Sequence, residues 1–563
     1  MTEPAKFPVG RQAVTKRYVN HRGSGPVARR ASAPSRVASN ELSYPPSDSF
    51  ASQANGRAEL CEHAESDRLR FWAEQARRLL WDEDFTQVLD WSNAPFARWF
   101  DGGTLNVAVN CLDRHVGAGR ADRVALHWVG EPGDRRDVTY GELHAEVCKA
   151  ANYLRDIGLR AGDRVAIYMP MIPEAVVAML ACARIGATHL SVVGGATATT
   201  LRAQLDDAHA KVLITADGHY VQGAPAPLKL IADDALSGPG GRCQSVQTVI
   251  VARRTGADVE SSWLPGRDVW WHDTIDPADA CHVAESFDAE HPLFLLYTSC
   301  RDGSPRGLIH TSGGFLTQAH YTFHYVFDHK EGVDVFWCDA VLDSIAGHTY
   351  QVYGPLSNGA TSVIYEGAAT ADREDRRFQI IERYGVTTYY VGARMLRSLF
   401  ERGGAVADGC GLSSLRLLAT TGESGNHEAW HWYRDVMGSG RCPVVVTWWG
   451  PETGAIMIAP LPGLTTVKPG SPMKPLPGIS AHIVDDDTNL VPFGERGHLV
   501  LDRPWPSMAR GIWGDDQLFV DTYWRRLSER LWCFTGVTAR YDDDDVIWLL
   551  GLDDDVMTMP ARQ

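Results

Sequence analysis

The sequence lacks several patterns that assign a chain to common classes of protein. Its 563 residues contain no apolar run of about 18, the length that a membrane-spanning helix needs. None of the eleven cysteines forms a Cys-x-x-Cys pair, which excludes a zinc or disulfide framework of that spacing and favours reduced thiols. No Gly-Lys dipeptide occurs, which excludes a Walker A loop. We therefore expect a cytoplasmic protein without a membrane partner.

The chain is acidic overall and basic only at its start. It has 54 Lys and Arg against 70 Asp and Glu, a net charge of −16, which argues against a specific nucleic-acid partner. The first forty residues instead hold eight basic residues and one acid, Glu3. We interpret residues 1–43 as a disordered basic tail. A transit peptide and an arm that binds a polyanion are the alternatives.

Hydrophobic periodicity from residue 163 onward predicts an α/β protein. Apolar strands alternate with amphipathic helices, which implies βαβ units with parallel pairing. The predicted strands are 164–169, 189–193, 211–215, 334–338, 361–365, 387–390, 415–418 and 444–448, and the predicted helices include 173–185, 200–209, 347–356 and 427–436. Residues 60–91 also have a helical pattern. After Gly454, short alternating strands at 480–484 and 498–501 predict a small β-rich subdomain.

The stretch 293–314 is the best candidate for a ligand site. An apolar strand at 293–297 leads into a loop of small and turn-forming residues at 298–307, and a helix is predicted at 313–327. A strand that feeds such a loop can present backbone N–H groups to phosphate. An ordinary loop of an α/β protein would give the same pattern, so the motif alone leaves both interpretations open.

Three other motifs favour structural interpretations. His320 and His324 share a helix face without the Glu of a metalloprotease helix. Residues 422–425 lack the spaced glycine of a nucleophile elbow. The acidic clusters 485–487, 542–545 and 553–555 lack the spacing of a calcium loop, so we interpret them as solvated turns.

Several stretches together closely resemble the acetyl-CoA synthetase family of adenylate-forming ligases. They are DWSNAPFARWF at 90–100, RVAIYMPMIPEAVVAMLACARIGATH at 164–189, LFLLYTS at 293–299, TGES at 421–424, TWW at 447–449 and ETGAIMIAPLPG at 452–463. The resemblance implies an α/β large domain with two α/β subdomains and a small β-barrel-like subdomain. We expect a mixed N-terminal region at 44–120 and the AMP-binding large domain at 121–555, with its β-rich part at about 455–550.

The resemblance also implies a reaction in two steps. Acetate, or another short acyl acid, attacks the α-phosphate of Mg-ATP, and the CoA thiol then attacks the acyl-adenylate. The implied ligands are therefore Mg²⁺, ATP or AMP, the acid and CoA. Positioning and preorganised positive charge would be the main sources of catalysis.

Many positions match the functional motifs of that family. The implied phosphate and ATP contacts are Thr298, Ser299, Gly303, Arg306 and Gly307. The implied adenine side consists of Gly422, Glu423, Ser424 and Trp448, and the implied acyl pocket of Ile345, Ala346, Thr421 and Trp449. The tryptophan at 449 would keep that pocket acetate-sized. Glu452 is expected near Mg²⁺, and Asp554 at the hinge between domains.

Other positions depart from the family pattern and concentrate where the chemistry is expected. In the phosphate loop, Cys300 replaces a glycine, Asp302 a threonine and Ser304 a lysine, although Arg301 and Arg306 restore some positive charge. Asp302 would place a carboxylate beside a pyrophosphate. Further along, Pro451 replaces a threonine that contacts the α-phosphate, and Gly450 a glutamine.

The remaining departures concern the ribose, the acyl pocket and CoA. Val537 stands where a carboxylate would hold the ribose, and Leu552 where the family has an arginine. Each charge-assisted hydrogen bond lost in this way would cost about 1.5–3 kcal/mol. Ile345, Ala346 and Thr421 stand where Val, Thr and Val are usual. No arginine is present near Val221 and Ala224, where the CoA phosphates are expected.

The end of the sequence leads to two alternatives. The family's C-terminal lid, with its catalytic lysine, would follow the hinge, and we expect residues 556–563 to be a truncated end without it. The chain would then be an acetyl-CoA synthetase-like enzyme with impaired turnover, or a non-catalytic pseudoenzyme that binds a nucleotide or a partner. A partner protein that supplies a C-terminal domain in trans would favour activity.

Overall fold

A computed structural model describes residues 43–237, 243–256, 262–299, 305–367, 375–407, 411–422, 427–527 and 530–552. Within these ranges the strands form two seven-stranded sheets and one four-stranded sheet. The loop 300–304, which carries Cys300, Asp302, Gly303 and Ser304, lies outside the described residues. Three further site residues, Glu423, Ser424 and Asp554, also lie outside the described residues. The same holds for residues 1–42 of the expected tail and for residues 553–563 at the expected hinge and end.

The first sheet contains six parallel strands and one antiparallel edge strand. In spatial order they are Asp268–Trp270, Thr248–Ala252, Val212–Ala216, Arg164–Met169, Thr188–Val193, Pro292–Ser299 and Pro305–Thr311. The antiparallel member is Pro305–Thr311. The parallel pairing predicted from the βαβ pattern is confirmed.

The second sheet repeats this arrangement. In spatial order its strands are Val444–Thr447, Leu417–Thr421, Thr388–Val391, Val335–Asp339, Thr361–Tyr365, Val124–Val129 and Arg135–Thr139, and only the last is antiparallel. Most residues of the six parallel strands are buried, and Thr388–Val391 and Val444–Thr447 are buried along their whole length, as parallel strands covered on both faces are. The chain is therefore a mixed α/β protein with two large, mainly parallel sheets.

Helices cover the sheets, and their ends follow local sequence signals. Pro173–Ile185 begins with proline at its first position, where no N–H is needed, and ends at Gly186 with φ +70°. The other α-helices are Asp48–Ala51, Ala58–Ser66, Arg68–Ala76, Arg114–Gly117, Tyr140–Asp156, Ala198–Ala208, Leu228–Ser237, Trp271–Thr274, Ser312–Val326, Gly354–Ser357, Arg376–Tyr384, Ala393–Ala407, His427–Trp432 and Asp516–Phe519. Short π-helices span Val109–Asp113, Gly347–Tyr353, Tyr433–Met437 and Val520–Trp524.

The third sheet is antiparallel and open in the described residues. Its order is Ala481–Val484, Arg496–Leu501, Cys533–Tyr541 and Ile547–Leu552, and the first and last strands do not pair with each other. The β-rich part after Gly454 is thus found as predicted, but as an open sheet and not as a closed barrel. Two-stranded pairs join Gln87–Asp90 to Arg98–Asp101, Gly218–Val221 to Ala224–Pro227, and Thr104–Leu105 to Phe287–Asp288.

The helix predicted at 347–356 is found, as a π-helix that continues into an α-helix. Two other predictions of local structure were wrong. Residues 60–91 are not helical throughout, because the second helix of this region ends at Ala76 and a strand begins at Gln87. The described residues of the expected loop 298–307 belong to strands, because Thr298 pairs with Arg306 and Tyr297 with Gly307 in an antiparallel hairpin. In the described ranges, no helix is long and apolar enough to cross a membrane.

Candidate active site

A cavity of about 790 Å³ lies where strands of both large sheets end. Its lining includes Met169 and Gly194 from the first sheet and Asp339, Tyr365 and Val391 from the second. All these residues stand at or just beyond the carboxyl ends of parallel strands. Ligands of open α/β sheets bind at such ends, so this cavity is the candidate ligand site.

Two of the expected acyl-pocket residues line this cavity. Ala346 precedes the π-helix Gly347–Tyr353, and Thr421 ends a strand of the second sheet. The Thr421 hydroxyl accepts the backbone N–H of Ala393 at 3.0 Å, at the start of a helix. Ile345 is buried beside Ala346, with 9% of its surface exposed.

Trp449, the expected wall of the acyl pocket, is fixed from two sides. Its indole N–H donates to the hydroxyl of Tyr390 at 2.9 Å. The ring of Tyr350 meets it edge-on, with centroids 4.9 Å apart and planes at 78°. Tyr390 also lines the cavity with Ala346 and Thr421. Trp449 is thus in contact with a residue of the cavity wall, Tyr390, and is not itself among the lining residues.

The loop 450–454 after Trp449 is tied to its surroundings by backbone contacts. The carbonyl of Thr453 accepts from the Trp505 indole at 2.9 Å and from the Ser507 hydroxyl at 2.6 Å. Gly454 has φ +76°, and a Cβ there would lie 2.2 Å from the carbonyl oxygen of Ser507. Only glycine fits this close approach in a left-handed conformation.

Glu452 is held in this loop with an altered ionisation. Burial raises the pKa of its carboxyl to about 7. Burial, with the Glu452 charge as a second cause, raises the pKa of the Cys533 thiol on the third sheet. A Cβ on Gly450 would lie 2.5 Å from the Glu452 Oε1, so the carboxyl folds back over position 450. The site thus offers one half-buried carboxyl that an approaching cation would ionise.

The donor set around Glu452 fits Mg²⁺ better than a metal held by protein alone. The described ranges contain no group of three or more His, Cys, Asp and Glu side chains placed to hold a metal. Mg²⁺ usually binds one or two carboxylates and takes its other ligands from water and substrate phosphates. A single carboxylate beside a phosphate site satisfies that requirement.

The antiparallel hairpin of the first sheet carries the described phosphate-side residues. Thr298 is buried and lies opposite Arg306, and Ser299 ends its strand opposite Pro305. The carbonyl of Gly307 accepts the Trp513 N–H at 2.7 Å.

His310 connects this hairpin to the loop of Glu452. Its Nε2–H donates to the carbonyl of Pro451 at 3.0 Å. Burial, with the nearby His348, lowers the pKa of His310 to about 3, so the ring is neutral at physiological pH. The hairpin that carries Thr298 and the loop that carries Glu452 are therefore in direct contact through two residues 141 apart in sequence.

The adenine-side residues lie between the second and third sheets. The Gly422 N–H donates to the carbonyl of Thr447 at 2.7 Å, and a Cβ on Gly422 would lie 3.2 Å from Leu549. Trp448 bridges to Ile458. Of the residues expected at the ribose, Val537 is buried and Leu552 is 57% exposed, and the two are register partners.

The expected CoA side is a short hairpin at the cavity. Val221 lines the cavity and is 42% exposed, and it pairs with Ala224 across the turn. The Gly223 N–H of this turn donates to the carboxylate of Glu131. The hairpin also places His219 and Tyr220 at the cavity, and the Arg254 guanidinium lies over the Tyr220 ring at 4.7 Å.

The motifs that we interpreted as structural have structural contacts. His320 is buried, which lowers its pKa far below the usual value, and its carbonyl accepts the amide of Asn358. Asp485 accepts the N–H groups of Asp487 and Asn489, as in a turn. Asp542 pairs with Lys468 at 2.6 Å. The cluster 553–555 lies outside the described residues.

Sequence reasoning missed Tyr350, Tyr390, Thr447 and His310. Tyr390 stands one residue before the end of the strand Thr388–Val391, a position that the strand-end rule could have flagged. No local pattern marks Tyr350 or His310, because their partners are distant in sequence.

Comparisons with known proteins identify matching families and relatives of similar sequence. A family profile described as AMP-binding enzyme matches residues 112–513, and one described as acetyl-coenzyme A synthetase N-terminus matches residues 57–111. Acetyl-coenzyme A synthetases of Mycolicibacterium smegmatis and Mycobacterium bovis are each 57% identical to the chain. That of Streptomyces avermitilis is 55% identical. Each alignment covers 92% of this chain, and it covers 55%, 80% and 78% of the respective relative.

Proposed function

We propose a function on the premise that this chain belongs to the acetyl-coenzyme A synthetase family of AMP-binding enzymes. The chain activates acetate or a similarly short acid with ATP, giving an acyl-adenylate and pyrophosphate, and passes the acyl group to the thiol of CoA. The observation that carries this proposal is the placement of Trp449. It donates to Tyr390, which lines a cavity at the strand ends, and it stands three residues before Glu452, whose carboxyl has a raised pKa.

In the first step, a carboxylate oxygen of the acid attacks the α-phosphorus of ATP. A P–O bond forms, the bond to the bridging oxygen breaks, and pyrophosphate leaves with the electron pair. Trp449, Ala346 and Thr421 surround the acyl group and orient its carboxylate, which lowers the entropic part of the barrier. The strands Pro292–Ser299 and Pro305–Thr311 carry Thr298, Arg306 and Gly307, which would contact the nucleotide phosphates.

Mg²⁺, when bound with the nucleotide, neutralises charge on the phosphate oxygens. Glu452 is the residue that would hold it. The carboxyl is held by burial at a pKa of about 7, so binding of the cation releases a proton from it. The neutral His310 donates to the Pro451 carbonyl and keeps this loop in place without adding charge.

The free cysteines support an intracellular site of action. The nine cysteines in the described residues are free thiols, and most of them are buried. Thiols persist in the reducing environment of the cytoplasm. We therefore propose a cytoplasmic enzyme.

A second candidate is a protein of the same fold that binds a nucleotide without turnover. The pairing of Val537 with Leu552 favours it, because the family pattern has a carboxylate and an arginine at these positions. An apolar pair provides no hydrogen bond to ribose. The two candidates differ in whether the adenylation step occurs.

Acetate-dependent exchange of labelled pyrophosphate into ATP tests the proposal. It reports adenylation without CoA, so the acceptor side does not affect it. We expect exchange by the full chain with Mg²⁺, and its loss in Glu452→Gln purified in the same way, which excludes a contaminating host enzyme. A folded wild-type chain with no exchange above the Glu452→Gln control would overturn the proposed activity and favour the nucleotide-binding candidate.

A further inference from the structure

A directed chain of hydrogen bonds begins at Trp449 and ends on the backbone of the second sheet. The Trp449 indole N–H donates to the Tyr390 hydroxyl at 2.9 Å, and Tyr390 and Thr447 hydroxyls are 2.9 Å apart. The Thr447 hydroxyl donates to the carbonyl of Thr420 at 3.2 Å. Since an indole only donates and Thr447 donates onward, Tyr390 accepts from Trp449 and donates to Thr447.

The chain of bonds is buried and its members are packed. Tyr390 is 1% exposed and Thr447 is fully buried. Burial raises the pKa of Tyr390 far above the ordinary range, so its hydroxyl keeps its proton and remains a donor. The Tyr390 ring packs against Phe327 at 5.0 Å and Tyr350 at 5.9 Å. The hydroxyl thus occupies one position relative to the indole.

The other face of Trp449 is held by a separately anchored ring. Tyr350 lies edge-on to Trp449. Its hydroxyl accepts the N–H of Ile456 at 2.9 Å and lies 2.9 Å from the Thr322 hydroxyl. Tyr350 therefore limits the indole from one side. The hydrogen bond to Tyr390 orients the indole N–H within the ring plane.

We infer that Tyr390 is a positioning residue that fixes the indole of Trp449 and so sets the length of acyl chain that the site accepts. This inference rests on the proposed function, because it assigns Trp449 to the acyl pocket. Tyr390 is suited to the role since it contacts Trp449 and also lines the cavity beside Ala346 and Thr421. Removal of its hydroxyl would leave the indole N–H without its acceptor while the ring contacts persist.

Binding of alkyl esters of AMP tests the inference without turnover. Ethyl-AMP and butyl-AMP have the lengths of the acetyl- and butyryl-adenylates, and calorimetry with the full chain gives a dissociation constant for each. We expect the wild type to favour ethyl-AMP by about tenfold or more, since one or two methylenes in a tight apolar pocket are discriminated to that extent. We expect Tyr390→Phe to lower this preference by about fivefold or more, mainly by tighter binding of butyl-AMP.

Tyr433→Phe is the matched control. Tyr433 is also a fully buried tyrosine, and its hydroxyl donates to the carbonyls of Tyr389 and Ala419. The substitution removes one buried hydroxyl beside the same strands but touches neither Trp449 nor the cavity lining. It should leave the preference for ethyl-AMP unchanged.

A double substitution distinguishes an effect that acts through the position of Trp449 from a general loss of packing in the pocket. In a Trp449→Phe background the indole N–H is absent, so Tyr390→Phe should have no further effect on the preference. An unchanged preference in Tyr390→Phe, an equal change in Tyr433→Phe, or additive effects in the double variant would each overturn the inference. Failure of the wild type to bind either ester would overturn the proposed acyl-adenylate site, and this inference with it.

Discussion

Val537 and Leu552 lie directly opposite each other on adjacent antiparallel strands of the third sheet. Val537 is 8% exposed and Leu552 57% exposed. Both stand where the family pattern has charged residues, a carboxylate and an arginine. Two departures that are 15 residues apart in the sequence are thus a single cross-strand pair in the fold.

The first prediction concerns this pair. The double variant Val537→Asp with Leu552→Arg should bind ATP about tenfold more tightly or better than the wild type, because each charge-assisted hydrogen bond contributes about 1.5–3 kcal/mol. The opposite charges also stabilise each other across the strands. Val537→Asp alone should instead destabilise the protein, since it buries a carboxylate without its partner. Calorimetric titration with ATP measures the effect.

Leu550→Arg is the control for added charge. Leu550 is on the same strand and 42% exposed, so the substitution adds a positive charge without the cross-strand partner. Equal gains in ATP affinity from Leu550→Arg and from the double variant would show that the effect is general electrostatics and not ribose recognition.

The second prediction concerns the pH dependence of metal–nucleotide binding. In the free protein the Glu452 carboxyl has a pKa of about 7, and Mg²⁺ binds its ionised form. Affinity for Mg-ATP should therefore rise by up to about tenfold per pH unit as pH increases toward 7, and level off above it. Titrations at pH 5.5 to 8.5 check this. The Glu452→Gln variant should bind Mg-ATP more weakly. Its affinity should no longer follow the titration of residue 452 and should vary with pH only through the protonation of ATP itself.

The raised pKa of Glu452 also leads to a prediction about how the free energy of unfolding depends on pH. A carboxyl whose pKa is higher in the folded than in the unfolded state costs stability as pH rises, and the full cost is present above pH 7. Glu452→Gln should therefore raise the free energy of unfolding at pH 8 by up to about 3 kcal/mol, and by much less at pH 5. Urea unfolding of both proteins at pH 5 and pH 8 measures this difference. An equal gain in stability at the two pH values would show that ionisation of Glu452 is not its cause.

The third prediction tests the close approach at Gly454. Gly454→Ala should cost about 2–4 kcal/mol of unfolding free energy, because it adds left-handed strain and a clash with the Ser507 carbonyl. Gly440→Ala is the control, since Gly440 has φ +68° but no atom within 4 Å of an added Cβ. It should cost only about 1–2 kcal/mol. Equal losses in urea unfolding would show that the contact with Ser507 adds nothing.

The fourth prediction concerns the acceptor. The hairpin with Val221 and Ala224 carries no Lys or Arg and donates from its turn to Glu131, whereas Arg377 and Arg394 line other parts of the cavity. We expect kcat/KM for CoA and for CoA without its 3′-phosphate to differ by less than about threefold, since the hairpin offers the 3′-phosphate no cationic side chain. Val221→Arg, at a half-exposed position, should restore a preference for CoA. A strong preference for CoA in the wild type would contradict this picture.

Much of the fold could be predicted because strands buried on both faces carry their own signal. Residues 164–169, 173–185 and 361–365 were predicted with the bounds that the structure has. Apolar β-branched runs and a Pro–Gly pair at helix ends specify such elements locally. The hairpin at Thr298 and Arg306 was missed because Gly, Ser and Pro favour a loop until an opposite strand pairs with them.

The site was predictable only as a set of matching residues. The sequence marks Trp449 and Glu452 through the motif that contains them, and the roles assigned to them remain predictions. It does not show that Tyr390, 59 residues away, accepts the Trp449 indole, or that His310 contacts Pro451 across 141 residues.

By itself the sequence determined the family, the alternation of strands and helices, and the positions that depart from the family pattern. Only the tertiary structure decided how these positions meet. It made Val537 and Leu552 a pair, raised the pKa of Glu452, and fixed Trp449 through Tyr390. The physical reason is that strand and helix signals are local, whereas burial, register and hydrogen-bond partners depend on which distant segments pack together.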